Sequence, residues 1–125
     1  MKKSKVTIKT SSTDEFFHRV RERAEKLDRG ETLPAEITIS FEDPMELLSI
    51  LTSERVRLLR RAKGGSLPIS DLADGLKRDV RAVSRDVVVL EKAGLLRTSY
   101  RVNPGHGRLK IVEALARGYK LTANL

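Results

Sequence analysis

The stretch Asp79-Val-Arg-Ala-Val-Ser-Arg-Asp-Val-Val-Val-Leu-Glu-Lys-Ala93, closed by Gly94, reads as one amphipathic helix. Val80, Val83, Val87 and Leu90 are spaced three, four and three, which lays a single apolar stripe along it. Its β-branched content is high for a helix, so packing of that stripe must hold it. The opposite face carries Arg81, Ala82, Ser84, Arg85 and Val88. Upstream lies a polar turn, Lys77-Arg78, and before it a brief helix over Asp71–Gly75, capped by Ser70, with Leu72, Ala73 and Leu76 turned inward. Leu67-Pro-Ile69 precedes that as a short strand. Downstream, Leu95–Val102 and Arg108–Glu113 read as two strands around Asn103-Pro-Gly-His-Gly107, a turn rich in breakers. The resulting hairpin carries Arg97, Arg101, Arg108 and Lys110.

The front of the chain is organised differently. Val6-Thr-Ile8 alternates as a short strand whose flanking lysines suit an edge or an arm. Ser12-Thr-Asp-Glu15 matches a capping box, and Phe16, Val20, Ala24 and Leu27 follow as an apolar stripe on a helix stopped at Gly30. Glu36–Phe41 alternates cleanly, with Ile37, Ile39 and Phe41 on one side, as a half-buried strand does. Asp43-Pro44 opens a short helix made apolar by Met45, Leu47, Leu48 and Leu51. The next helix turns Val56, Leu59 and Ala62 inward and Arg55, Arg57, Arg60 and Arg61 largely outward. Gly64-Gly65 ends it.

Charge follows this division. Ser12–Leu51 holds five bases against ten acids, whereas Thr52–Glu113 holds fourteen bases against seven acids, within a chain of net charge +8. A basic block suits a polyanion, and the acidic block is free to meet something else. With 125 residues the chain amounts to one domain, or one small domain plus an arm. Cysteine is absent, which excludes disulfides and thiolate chemistry. His18 and His106 match no usual zinc ligand set, so no metal and no cofactor is expected. No apolar run approaches the ~20 residues of a membrane span, and the basic N-terminus lacks a hydrophobic segment, so the expected location is the cytoplasm.

The segments "ISDLADGL" and "AVSRDVVVLEKAGLL", the polar turn between them and the hairpin that follows resemble the helix-turn-helix of winged-helix regulators, the MarR/ArsR-like broad class. With "ISFEDPMELL" at Ile39–Leu48 in front, the chain also looks like a family of short archaeal and bacterial DNA-binding proteins, over roughly Ile37–Val112. The resemblance implies an α+β, mainly α fold: a winged helix-turn-helix with an N-terminal helix and strand extension. The expected organisation is an N-terminal arm, helix and strand over 1–43, the DNA-binding domain over 44–113 and a C-terminal tail over 114–125. It implies double-stranded DNA as partner, with the second helix in the major groove. Expected contacts are Lys77, Arg78, Arg81, Ala82, Ser84 and Arg85 from the helix and its turn, and Arg101, His106, Arg108 and Lys110 from the hairpin. Asp86 is expected to pair with Arg81 or Lys92, or to clamp Arg85, with cytosine readout as the alternative. For His106 a merely solvated place in the loop is the alternative.

A homodimer is expected, joined through Phe16, Val20, Ile37, Ile39 and Phe41, because so small a core cannot cover both the front helix and the strand. Family members often sit beside toxin-like genes, so the resemblance also implies an antitoxin-type role in which the acidic front segment binds a partner toxin. RNA binding is a third reading, but five aromatics offer no stacking platform. No nucleophile, base and orienting group can be assembled, so an enzyme is not expected.

Overall fold

The computed structural model describes residues 5–9, 33–63, 65–105 and 107–125. The expected front helix with Phe16, Val20, Ala24 and Leu27, and the loop residue His106, lie outside the described residues. The chain is α+β and divides into two units, Met1–Thr52 with Leu115–Leu125, and Ser53–Ala114.

The first unit is built on a three-stranded parallel sheet of β1 (Lys5–Lys9), β2 (Glu36–Phe41) and β6 (Tyr119–Ala123), with β2 in the middle. Residues alternate along β2, and Ile37, Ile39 and Phe41 are buried. Strand β6 occupies the region expected to be a tail. Its register sets Ile37 beside Tyr119 and Ser40 beside Thr122, whose hydroxyls lie 3.1 Å apart. The reason is backbone pairing: a central strand with a second free edge gains a full ladder from any alternating segment that reaches it. The N–H of Arg117 donates to the Pro34 carbonyl at 3.0 Å, and that of Ile37 to the Gly118 carbonyl at 3.0 Å, which locks the entry to β6.

Tyr119 also anchors this entry, its hydroxyl accepting from the N–H of Leu115 at 2.8 Å. Burial pushes the Tyr119 hydroxyl up from 10.0 to about 12, against the opposing pull of the Leu115 and Ala116 backbone hydrogen bonds. The folded chain therefore favours the neutral phenol. That contribution to stability is complete below pH 10 and is lost as pH rises through about 12. A tyrosinate absorbance titration should show a late step near pH 12 that Tyr119→Phe removes. A wild-type profile identical to that of the variant would count against this placement.

Helix α1 (Pro44–Ile50) starts as expected, with the Asp43 carboxylate accepting from the N–H of Met45 at 2.9 Å. It belongs to the first unit, which runs to Thr52 before the second begins at Ser53. The helix buries none of its residues, and Met45 and Leu48 are 67% and 65% exposed.

The second unit runs α2 (Ser53–Ala62), β3 (Leu67–Pro68), α3 (Ile69–Leu76), α4 (Val80–Lys92), β4 (Leu96–Asn103) and β5 (Gly107–Ala114), with an antiparallel sheet in the order β3-β5-β4. Leu58, Leu59 and Ala62 of α2, Leu72, Ala73 and Leu76 of α3, and Val83, Val87 and Leu90 of α4 are buried with Leu95, Leu96, Ile111 and Val112. Each fully buried Leu, Val or Ile contributes about 1.5–3 kcal/mol. Helix α3 opens directly after Pro68, whose fixed backbone replaces the expected Ser70 cap. Val80 departs from the expected stripe at 42% exposure. It points to the same side as Val87, but packing stops at Val83, one turn short of the helix start.

Candidate functional site

Helix α4 is presented by a tight turn. Lys77 adopts a left-handed conformation (φ 54), its N–H donates to the carbonyls of Ala73 and Asp74, and the N–H of Arg78 donates to Ala73 at 3.1 Å. These bonds satisfy the end of α3 as a glycine C-cap would. Asp79 then caps α4, accepting from the N–H of Arg81 at 2.8 Å.

Opposite the buried Val83, Val87 and Leu90 stand Arg81, Arg85, Val88 and Lys92, all exposed and all on one stripe. Ala82 and Ser84 flank that stripe and are half-buried. Lys92 shares the stripe although it is not among the expected contacts. Lys77, Arg81, Arg85 and Lys92 have no ion-pair partner among the described residues. Their charge is therefore available to an external anion, and each guanidinium can donate two parallel hydrogen bonds.

Arg78 and Asp86 correct the expectation. Arg78 donates from Nη1 to Asp86 at 2.8 Å and lies 3.4 Å from Glu54, while Arg55 Nε donates to Asp86 at 3.1 Å. Asp86 thus joins α2 and the turn to α4, and pairs with neither Arg81, Arg85 nor Lys92. The physical reason is its angular position beside Leu90, on the flank of the buried stripe, away from Arg81 and Arg85. Arg78 thus differs from Arg81 and Arg85 in having its charge matched inside the unit. Nothing local in the sequence marks Arg55, which lies 31 residues from its partner.

The hairpin divides its cations between two faces. Register pairs Tyr100 with Lys110 and Val102 with Arg108, which places these four on one face, while Arg101 pairs with Leu109 on the other. Arg101 and Arg108 are exposed, and Lys110 is half-buried. Arg97 is not a surface cation: Nη2 donates to Glu113, its cross-strand partner, at 3.1 Å. On the Tyr100 face, the N–H and hydroxyl of Thr98 donate to Glu91 Oε1 at 3.1 and 3.0 Å, which ties β4 to the end of α4. Glu54, Asp79, Asp86, Glu91 and Glu113 are therefore all engaged internally, and the second unit turns its uncompensated basic groups outward.

Three of the expected interface residues are also corrected. Ile37, Ile39 and Phe41 are buried within the chain itself and offer no surface to a second copy. Among the described residues no group of three His, Asp or Glu could hold a metal ion, and no helix is long and apolar enough to cross a membrane.

The family model HVO_A0114 matches residues 50–105, a span holding α2, β3, α3, α4 and β4. Among solved structures, the chain is similar to one described as "Possible transcriptional regulator from Methanosarcina mazei Go1", with 20% identity and a TM-score of 0.51. That match covers 58% of this chain and 65% of the other, just under two thirds of its length. A second similar structure is the "transcriptional regulator homologue protein from Pyrococcus horikoshii OT3", at 21% identity and a TM-score of 0.44 over 56% of this chain and 75% of that one. No curated protein matches. The likeness to the Methanosarcina protein is one of fold.

Proposed function

We propose that the second unit is a winged helix-turn-helix of the MarR/ArsR-like broad class and that the protein is a sequence-specific, duplex-DNA-binding transcriptional regulator. The observation that carries this reading is the exposed stripe Arg81, Arg85, Val88 and Lys92 on a helix delivered by a tight turn, its cations free of internal ion pairs. Helix α4 is then the recognition helix and β4–β5 the wing. Arg85 pairs with guanine O6 and N7, Ser84 with a base edge or phosphate, and Ala82 touches a thymine methyl. Lys77, Arg101, Arg108 and Lys110 meet phosphates and set the register. The protein is a binder and not an enzyme, acts in the cytoplasm, and works as a dimeric repressor or autoregulator whose two heads read half-sites roughly 34–36 Å apart.

Binding-site selection on three proteins tests this. Arg85→Ala should cost about 1–3 kcal/mol and relax preference at one base position. Arg108→Ala should weaken all sequences alike and lower the salt slope by about one. If Arg108→Ala alters base preference while Arg85→Ala lowers affinity uniformly, helix and wing have been assigned the wrong way round.

A second reading, compatible with the first, has a specific observation behind it. Helix α1 exposes Met45 and Leu48 beside Glu42, Asp43 and Glu46, an apolar surface with an acidic rim. Such a surface suits a basic partner protein, as in an antitoxin that binds its toxin. Sedimentation of the chain alone separates the two uses of the front unit. A monomer at micromolar concentration would count against the homodimer and leave the heteromeric reading in place.

A further inference from the structure

The hairpin carries a feature that the core does not need. Tyr100 is 58% exposed and Val102 78% exposed, so neither contributes much to folding by burial. The Arg108 guanidinium lies 4.8 Å from the centre of the Tyr100 ring. Register explains how they meet. Tyr100 is directly opposite Lys110, and Arg108 is the diagonal neighbour two residues nearer the tip, within reach of a long side chain.

We propose that Tyr100 is a positioning residue for Arg108, holding its guanidinium in a presented conformation before DNA arrives. This rests on the reading of β4–β5 as a DNA-contacting wing. A free arginine on a hairpin samples many rotamers and loses them on contact, whereas a side chain already stacked has fewer to lose. A cation over a ring face is held by the π-system and not through its own N–H groups, so the ring restrains the guanidinium without consuming its donors. Lys110, on the same face, is half-buried and has no such cation–π contact. The two wing cations of that face therefore differ, Arg108 alone being preset by a ring.

A double-mutant cycle on a duplex selected by the wild type tests the proposal. Tyr100→Leu should weaken binding about two- to fivefold for all sequences, the range expected of an exposed cation–π contact. The salt slope should stay at the wild-type value, because no cation is removed. Tyr100→Phe should bind like wild type, since the ring face is kept. In an Arg108→Ala background, Tyr100→Leu should have no further effect. Additive losses would overturn the proposal and make the ring a direct DNA contact. A Tyr100→Phe variant as weak as Tyr100→Leu would overturn it in favour of the hydroxyl.

Nuclear magnetic resonance of the free protein supplies the independent arm. The Arg108 side-chain protons should be shifted upfield by the ring, and Tyr100→Leu should abolish that shift. DNA binding without the shift sinks the positioning role alone. A shift without any DNA binding sinks the reading of the hairpin as a wing.

Discussion

Raising salt fourfold should weaken binding of a selected duplex by about a thousandfold, corresponding to a slope of roughly −5 in log affinity against log salt. The size follows from the number of cations available. Lys77, Arg81, Lys92, Arg101, Arg108 and Lys110 have no carboxylate partner among the described residues and, unlike Arg85, are not assigned to a base edge. If about six phosphates are neutralised, each releases nearly one condensed counterion. The same structure explains why the slope should not approach the full complement of bases in this block. Arg55, Arg78 and Arg97 are held by Asp86, Glu54 and Glu113, so they release no counterions on binding. Titrations at several salt concentrations measure the slope directly. A flat response, or equal affinity for selected and random duplexes, would remove the DNA-binding reading.

Asp86→Ala should be the most damaging single change outside the apolar core, costing about 2–4 kcal/mol of unfolding free energy. The Asp86 side chain is 14% exposed and receives Arg55 and Arg78, each 20% exposed. Removing it takes the shared carboxylate from two arginines in a partly desolvated pocket, with only the half-exposed Glu54 left near Arg78, which costs more than the loss of an exposed ion pair. The value lies below the range for a fully buried pair because all three groups retain some water. Urea unfolding should show a lower midpoint with an unchanged slope, since the surface exposed on unfolding is the same. DNA affinity supplies the second readout. The variant gains one net positive charge, so non-specific binding should rise while discrimination between sites falls, because α4 is less firmly held against α2. An unchanged urea midpoint together with altered preference at a single base pair would mean that Asp86 reads cytosine and does not brace the helix.

Helix α4 was legible almost to the residue. The expected Asp79–Ala93 appears as Val80–Lys92 between an Asp79 cap and an Ala93 end, with Gly94 beyond in a left-handed conformation. The alternation of Glu36–Phe41 and the two strands of the hairpin were legible too. All are local signals: an apolar period, a capping side chain and a turn rich in breakers act over a few residues and need no knowledge of what lies opposite. The exposed cations Arg81 and Arg85 follow from the same period, as positions opposite a buried stripe.

What the local pattern could not supply was the identity of each residue's distant neighbour. The alternating pattern of Ile37, Ile39 and Phe41 marks a face to be covered, but it is equally consistent with cover from a second copy or from the chain's own interior. The chain buries all three, and the presumed tail becomes β6 on the edge of their strand. Helical period likewise sets the direction of Asp86, yet only the packing of α2 and the turn beside it brings Arg55 and Arg78 to its carboxylate. Val80 repeats the lesson at the end of an element: the stripe includes it, and the core stops before reaching it. By itself the sequence determined that Glu36–Phe41 and the hairpin fold as strands, that Val80–Lys92 folds as a helix, and which side of β2 and of that helix is apolar, because those preferences act in backbone and rotamer terms within a turn or two. Only the tertiary structure decided which apolar sides meet, which arginines are consumed internally and which remain to face an anion, because those outcomes depend on contacts between residues far apart in the chain.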